Sequence, residues 1–586
     1  MTYIYRKFLA GLLISLAVIG LFLISPQKAS AATYYISTTG LDSNTGGLDD
    51  PWLTITTSMY KLAESDTAIV LPGTYGQTVS IPQSNLTLEA SGEAVVKGVT
   101  VEGSSNTVRG FTITDAAANA GIRVYGDGNL FENNEIYGTK QDGIWFFGSN
   151  NTFRGNYIHN ILDPSIPDDP HVDCFQTWSF NWNTVNALFE ENICDHGRST
   201  GSNQIASITR STSLELNNIT FRNNIFIMHD TGYSPLNVDT LDPLYPLTDI
   251  YVYNNTFYNT TGTGTAAIVM DTVTNGNIVN NAVIGYSSLS LVMGGTVTES
   301  NNNITGPYGM VDYPNLNFHL QRSSVLIDSG TDNGVTGDYD GTSRPQGTTH
   351  DIGAYEYKPL TVTVNQASGQ PDPTGGGPIN FTVIFSEAVS DFTAGDITFS
   401  GSAGPTTAEV TGSGTTYNVA VSGMTGAGNV TISIGADKAT GIFGNTNELS
   451  TSSDNGVTLG GIGGTAGAAG IALPWYPVSF NAPDLFEIRT GKTSAILYAA
   501  PPPAPYTSFY IMYSRKPDMW EYGTVIKQTE SSGVISFTIN ALQQNTTYFF
   551  KVAASNNIAL GSWSNVLSAK TNSGGQKSYY RYFPID

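Results

Sequence analysis

The chain has 586 residues, with 25 Lys plus Arg against 48 Asp plus Glu and a formal net charge of -23. That balance argues against binding to nucleic acid or to an anionic membrane through bulk charge. A content of 63 Gly, 27 Pro and 31 Tyr describes turn-rich β structure in a chain too long for one core, and the two cysteines, Cys174 and Cys194, are too few for a disulfide-built scaffold.

Arg6 and Lys7 precede a largely apolar run from Phe8 to Ile24, and the segment closes on Ala29-Ser30-Ala31. A basic start, an apolar middle and a small-residue exit predict a secretory signal peptide over residues 1–31, cut before Ala32. A retained anchor is the alternative, because the run approaches the length of a membrane span. Cleavage implies a secreted protein, extracellular or on the cell surface, with no membrane contact afterwards.

From residue 106 to 304 a short unit recurs: VRGFTI at 108–113, FENNEI at 131–136, FRGNYI at 153–158, FEENIC at 189–194, FRNNIF at 221–226, VYNNTF at 252–257 and IVNNAV at 278–283. Its fourth position falls at 111, 134, 156, 192, 224, 255 and 281. Units this short cannot bury their own apolar face, so neighbours must stack. Three short strands per coil, with Asn side chains stacking at a turn, predict an all-β parallel β-helix over residues 32–358. The leucine consensus and the longer blade pattern of the competing repeat folds are absent.

Both ends of this region carry a resemblance. YYISTTGLDSNTGGLDDPWLTITTSMYKLAESDTAIVLPGTYGQTVSI at 34–81, and NFHLQRSSVLIDSGTD followed by DYDGTSRPQGTTHDIGAYEY up to Tyr357, resemble the termini of the secreted parallel β-helix family, the pectate-lyase-like superfamily. The resemblance implies a right-handed coil and a helix between the first strands that caps the open core. It bears on fold more than on activity, because polysaccharide lyases, glycoside hydrolases, epimerases and adhesins share the scaffold.

The step from 156 to 192 is the longest and contains ILDPSIPDDPHVDCFQTWSFNW. A solenoid tolerates extra residues at its turns, so long loops gather over the middle coils and wall a groove suited to a polymer. Aligning GIRV at 121–124, GIWF at 143–146, CFQT at 174–177 and IASI at 205–208 sends Ile122, Ile144, Phe175 and Ala206 inward. Arg123, Trp145, Gln176 and Ser207 then point outward, with Tyr125, Phe147, Trp178 and Thr209 two positions on. Rings beside amide and charged groups suit the C–H faces and hydroxyls of sugars. Arg123, Trp145, Gln176 and Trp178, with Arg198 and His159, are therefore the expected substrate-binding residues; packing of the rings under the loops is the alternative.

Asp142 and Asp173 directly precede equivalent strands, and Tyr137, His159, Asp195 and Ile227 fall three residues after successive markers, which makes His159 and Asp195 candidate neighbours. His171, Asp173, Asp195, His196 and Arg198 gather five ionisable groups in one stretch. Paired carboxylates divide proton donation from nucleophilic or base work. Asp173 and Asp195 are thus the expected catalytic pair, with His171 or His196 tuning them and Asp142 as a further candidate. Turn capping, an Arg198–Asp195 ion pair and a Ca²⁺ site built from Asp163, Asp168, Asp169 and Asp173 compete for these residues. Cys174 aligns with Gly143 and Cys194 falls on an inward column; an extracytoplasmic pair favours a bond, yet neither state is decided by those positions.

Residues 359–459, with PINFTVIFSEAVSDFTAGDITFSGSAG and TYNVAVSGMTGAGNVTISIGADKATGIFGNTN, alternate strands with Gly-rich turns and resemble a bacterial Ig-like β-sandwich. A Gly- and Ala-rich linker is expected at 460–473. Residues 474–571, with TSFYIMYSRKP and ISFTINALQQNTTYFFKVAASNNIALGSWSNVLSAKT, resemble a fibronectin type III domain. The tail, 572–586, has no fold signal beyond Tyr579, Tyr580, Tyr582 and Phe583.

Three functions follow in order of expectation. The first is a monomeric glycoside hydrolase acting on a polysaccharide, which needs no cofactor. The second is a lyase or epimerase acting on a uronate polymer, for which Arg123, Lys140, Arg198 and Arg210 supply few cations. The third is a non-enzymatic glycan-binding adhesin, which has use for the aromatics but little for the His/Asp cluster.

Overall fold

The computed structural model describes residues 31–116, 120–161, 172–179, 181–197, 203–229 and 234–460, together with parts of 483–571. The expected signal peptide, but for Ala31, the expected linker after Gly460 and the tail lie outside them.

Short strands, most of two to eight residues, stack in register into three parallel sheets, and each coil visits them in turn. Sheet A runs from Thr33–Ile36 through Leu130–Glu132, Thr152–Arg154, Thr184–Glu190 and Leu216–Arg222. Sheet B runs from Gly73–Thr74 to Ala282–Ile284. Sheet C contains Ala120–Val124, Asp142–Phe146, Val172–Trp178, Asn203–Arg210 and Leu236–Thr240. The last two coils merge sheets C and A in the long strands Gly264–Val279 and Tyr286–Ser300.

Alternation along each strand fills the tube. From sheet A, Phe131, Phe153, Phe189 and Phe221 point inward and stack with centroids 5.3, 4.8 and 4.7 Å apart, about one strand spacing per coil. Between sheets A and B the expected asparagine column is continuous from Asn134 through Asn156, Asn192, Asn224, Asn255 and Asn281 to Asn302. Each side-chain oxygen accepts both the backbone and the side-chain N–H of the preceding member, at 2.8 to 3.1 Å. A buried amide left unpaired would cost about 1–3 kcal/mol, so the column holds its turns in register. The residue before each marker takes a left-handed conformation that bends the chain into sheet B, and short polar side chains tolerate it best: Asn133, Asn223, Asn254 and Asn280 have φ of 54, 52, 53 and 59°.

The column Gly121, Gly143, Cys174 faces the inward residues Ile136, Ile158 and Cys194 of sheet B. A Cβ on Gly143 would lie 2.7 Å from Ile158 Cγ2 and 2.8 Å from the Cys174 carbonyl oxygen, so glycine is required there. One coil on, Cys174 and Cys194 occupy the same close approach and are joined by a disulfide, with Cα atoms 6.3 Å apart.

At the first coils a short helix, Ile55–Met59, places Ile55 and Met59 against the tube core beside Ile36, Val79 and Ile81, consistent with the expected cap. After the last coil, Met310, Phe318, Leu320, Leu326, Ile352 and Tyr355 pack on Ile225, Ile227, Tyr258 and Ile284 on the outer face of sheet B. The buried pair Arg344–Glu356, 2.7 Å, closes this segment. Burial raises the carboxyls of Asp338 to about 6 and Asp351 to about 7, against the opposing pull of backbone amides and Arg344.

Two β-sandwiches follow. The first spans strands Val362–Gln366 to Gly456–Leu459 in two antiparallel sheets around Phe381, Val383, Val419 and Ile432. It meets the β-helix through Arg322–Asp437, 2.7 Å, and through His319 stacked on Phe443, 4.6 Å. The second, Asp484–Thr490 to Leu567–Lys570, has its core at Leu497, Phe509, Phe537 and Phe550.

Candidate functional site

Sheet C presents two outward rows, and pairing register decides their neighbours. The first contains Arg123, Trp145, Gln176, Ser207 and Asn237 on consecutive coils. Ser207 is buried and the other four are half-buried, and the Arg123 guanidinium donates to Thr100 Oγ1 at 2.8 Å. In the second row Trp178 is followed by Thr209 and Asp239. Val238 pairs with Met270, which sets Asp239 opposite Asp271 on the next coil, about 4.8 Å along the axis.

The rings form one assembly. Trp178 meets Trp145 edge-on at 5.1 Å and Phe147 at 4.9 Å, and Trp182 closes on Phe147 and Tyr125 at 4.9 and 5.0 Å. Phe147 is buried and serves as the floor, while Tyr125, Trp145, Trp178 and Trp182 remain partly accessible. Trp182 escaped the sequence reading because it lies in the turn beyond the aligned strand.

Beyond the rings, Asp239 and Asp271 are paired like charges. Burial raises the Asp239 carboxyl; a hydrogen bond from Thr209 opposes this and the Asp271 charge adds to it. Asp239 Oδ1 is buried with no hydrogen-bond partner among the described residues. Neither carboxylate is ion-paired among the described residues, and Asp271 accepts from the Thr272 hydroxyl at 2.9 Å. A protonated carboxyl beside a second carboxylate can split acid from nucleophile or base work. The signal for this pair lies in the sequence as Val-Asp-Thr at 238–240 and Met-Asp-Thr at 270–272, visible once the strand alignment is carried two coils further.

Two expected catalytic carboxylates sit elsewhere. Asp142 and Asp173 do occupy neighbouring coils, but they are 2% and 0% exposed. Asp142 Oδ1 accepts the Asp173 amide at 2.7 Å and Asp173 Oδ1 accepts the Gln204 amide at 2.9 Å, a rung ladder of the asparagine kind. Asp142 Oδ2 also takes the Trp145 indole N–H at 2.5 Å and so orients that ring. Burial removes both carboxylates from the surface a polymer would touch, and both accept backbone amides of the next coil. His196 is likewise buried, with Nε2 2.8 Å from the Val172 carbonyl oxygen.

Asp195 lies on the outer face of sheet B. It pairs in register with His159, as the marker alignment expects. Its Oδ1 accepts from His229 Nε2 at 2.6 Å, and His229 Nδ1 lies 3.1 Å from Thr260 Oγ1. Burial pushes Asp195 up, but the His229 bond and charge, the Gly197 amide and His159 outweigh it and hold the carboxyl below its usual range. His159 stacks between Tyr137 and Tyr157, 5.2 and 4.2 Å away, with Nε2 3.2 Å from Glu135 Oε1. Glu135 and His229 were missing from the sequence reading, since their partners come from neighbouring coils. His171, Arg198, Asp163, Asp168 and Asp169 lie outside the described residues. Among the described residues no group of three or more His, Cys, Asp or Glu is arranged to hold a metal ion.

Residues 97–227 match the family model for the right handed beta helix region. Among solved structures, pectate lyase Pel9A is similar at 17% identity over 56% of this chain and 97% of that one, with a TM-score of 0.40. A rhamnogalacturonan lyase is similar at 14% identity over 48% of this chain and 90% of that one, TM-score 0.35. The likeness is one of fold. The sixth fibronectin type III domain of a human fibronectin type III domain containing protein 3 is similar at 19% identity over 19% of this chain and 97% of that one, TM-score 0.14. No curated protein sequence matches. The chain is all-β, a right-handed parallel β-helix followed by two β-sandwich domains.

Proposed function

We propose that this chain is a secreted polysaccharide-active enzyme, a glycoside hydrolase working on the outward face of sheet C. The observation that carries the reading is Asp239 facing Asp271 on adjacent coils, in line with the Trp145–Trp178 rings. The rings seat sugar C–H faces, and Gln176 and Asn237 offer hydrogen bonds to hydroxyls. Asp239, whose carboxyl burial and the Asp271 charge push toward the protonated form, donates to the departing glycosidic oxygen. Asp271 attacks the anomeric carbon, and water, deprotonated by Asp239, then frees the sugar. Carboxylates one rung apart, about 5 Å, suit this retaining double displacement better than the wider inverting arrangement. The Ig-like and fibronectin-like modules act as spacer or targeting arms.

The test is product detection on a panel of neutral and uronate polysaccharides, with added divalent metal and then with chelator. New reducing ends without ultraviolet absorbance, reduced about 100-fold or more in Asp239→Asn and Asp271→Asn, are the expected result. An absorbing unsaturated product would establish a lyase instead, and binding without any product would establish an adhesin.

A further inference from the structure

The first sandwich has a carboxylate where its core should be apolar. Strand Ile379–Val389 alternates, and Ile379, Phe381, Val383, Phe385, Glu387 and Val389 are its buried row. Period two alone thus carries Glu387 inward. Glu387 is 5% exposed, and the ion pairs that Arg322 makes with Asp437 and Glu448 do not reach it. Its Oε1 accepts from Asn445 Nδ2 at 2.9 Å, while Oε2 is buried with no hydrogen-bond partner among the described residues.

Asn445, also 5% exposed, stands opposite. Its Nδ2 donates to Glu387 Oε1 and to the Lys358 carbonyl oxygen, the latter at 3.1 Å. Two acceptors on the nitrogen side fix the orientation of the amide, because a flip would set oxygen against oxygen. Oδ1 therefore points the other way, and it too is buried without a partner among the described residues. A Cβ on Gly441 would lie 2.6 Å from Asn445 Oδ1 and 3.1 Å from Glu387 Oε2, so both oxygens converge beside a residue that has no side chain. A buried carboxylate without a counter-charge is strongly destabilising, and the second acceptor beside it adds to the deficit.

We infer that Glu387 Oε2 and Asn445 Oδ1 are ligands of a calcium ion at the foot of the first sandwich. Hard oxygen donors, one charged and one neutral, suit calcium and not a transition metal. A single carboxylate makes for weak binding, about 0.1–1 mM, the range of extracellular modules. The position gives the ion a task. Gly441 N–H donates to the Asn445 carbonyl at 2.9 Å and closes the turn 441–445. That turn meets the β-helix: Phe443 stacks on His319, the Phe443 carbonyl accepts from Asn317 Nδ2 at 3.2 Å, and Asn445 holds the Lys358 carbonyl. Calcium on Glu387 and Asn445 fixes the turn by which the sandwich docks.

The experiment compares the full mature chain with its Glu387→Gln variant, in calcium chloride and in chelator at matched ionic strength. Calcium binding is followed by calorimetry and the turn by amide hydrogen exchange over residues 439–447. The wild type is expected to bind one more calcium than the variant. Its amides at Gly441, Gly444 and Asn447 should exchange about 10- to 100-fold more slowly at about 10 mM calcium. In chelator the variant should exchange no faster than the wild type, since its buried charge is gone. Equal calcium binding and equal protection in both chains would assign the effect to surface acids and overturn the site. Protection of the wild-type turn that ignores calcium would assign the two oxygens to water and overturn it as well. Should the variant fail to fold, the wild type decides alone: calcium protection confined to 439–447 keeps the site, and protection that is spread evenly or absent sinks it.

Discussion

The outward faces of sheets A and C obey the same register rule and put it to opposite uses. On sheet A the column Glu89, Arg109, Glu132, Arg154, Glu190, Arg222 alternates in sign. Glu190 takes Arg154 and Arg222 at 2.6 Å each, and Arg109 pairs with Glu89 at 2.7 Å. These rows border a cleft of about 440 Å³ beneath residues 335–341, yet every charge in it that belongs to the column is already matched. On sheet C, Asp239 meets Asp271, and burial with like charge raises a carboxyl instead of satisfying it. One column pairs its charges; the other sets two like charges side by side, the arrangement on which the proposed chemistry rests.

Converting the sheet C rung into a sheet A rung is the most severe way to test that contrast. Asp271→Lys would place a cation opposite Asp239, draw its carboxyl down and abolish the acid; activity should fall by about 100-fold or more, with the change in Asp239 titration followed by carboxyl NMR. The opposite manipulation, Glu190→Gln, would strip the carboxylate shared by two arginines and should cost about 2 kcal/mol in urea unfolding, with catalysis unchanged. Trp178→Ala, which removes a ring without touching a charge, should raise KM about tenfold through lost stacking and leave kcat nearly intact.

The smallest expected effect concerns the raised carboxyls of the C-terminal segment. For Asp338 and Asp351 the folded values, about 6 and about 7, lie above the unfolded carboxyl value. Their contribution to stability is present in full below the unfolded value and is lost as pH rises through 6 to 7. Amides of residues 338–357 should therefore exchange faster at pH 8 than at pH 5 after correction for intrinsic rates. Unchanged protection would mean that the buried Arg344–Glu356 pair alone sets the segment's stability.

Much of the fold was legible because its signals are local and repeated. Six of the seven markers, 134 to 281, coincide with the asparagine column, and the first, Phe111, donates its amide to it, since a position that must bridge coils favours the same residue each time. The outward row Arg123, Trp145, Gln176 followed from two-residue alternation in the same way. The site was harder. Asp142 and Asp173 look like surface acids, but they lie at the start of their strands, at a corner where alternation fails and the side chain turns toward the next coil's amide. His229 reaches Asp195 across a sequence gap of 34 residues, and loop lengths that vary from coil to coil hide such partners.

The amino-acid sequence by itself determined the coil, its period, the residues that line it and the two sandwich modules after it, because each unit buries its apolar face only by stacking on a copy of itself. Tertiary structure decided which acids meet and which are buried. It placed Asp239 against Asp271, sealed Asp142 and Asp173 under backbone amides, and joined Cys174 to Cys194. Those outcomes depend on the register between coils and on the corner geometry, and the free energy of a carboxylate is set by the neighbours that register brings to it.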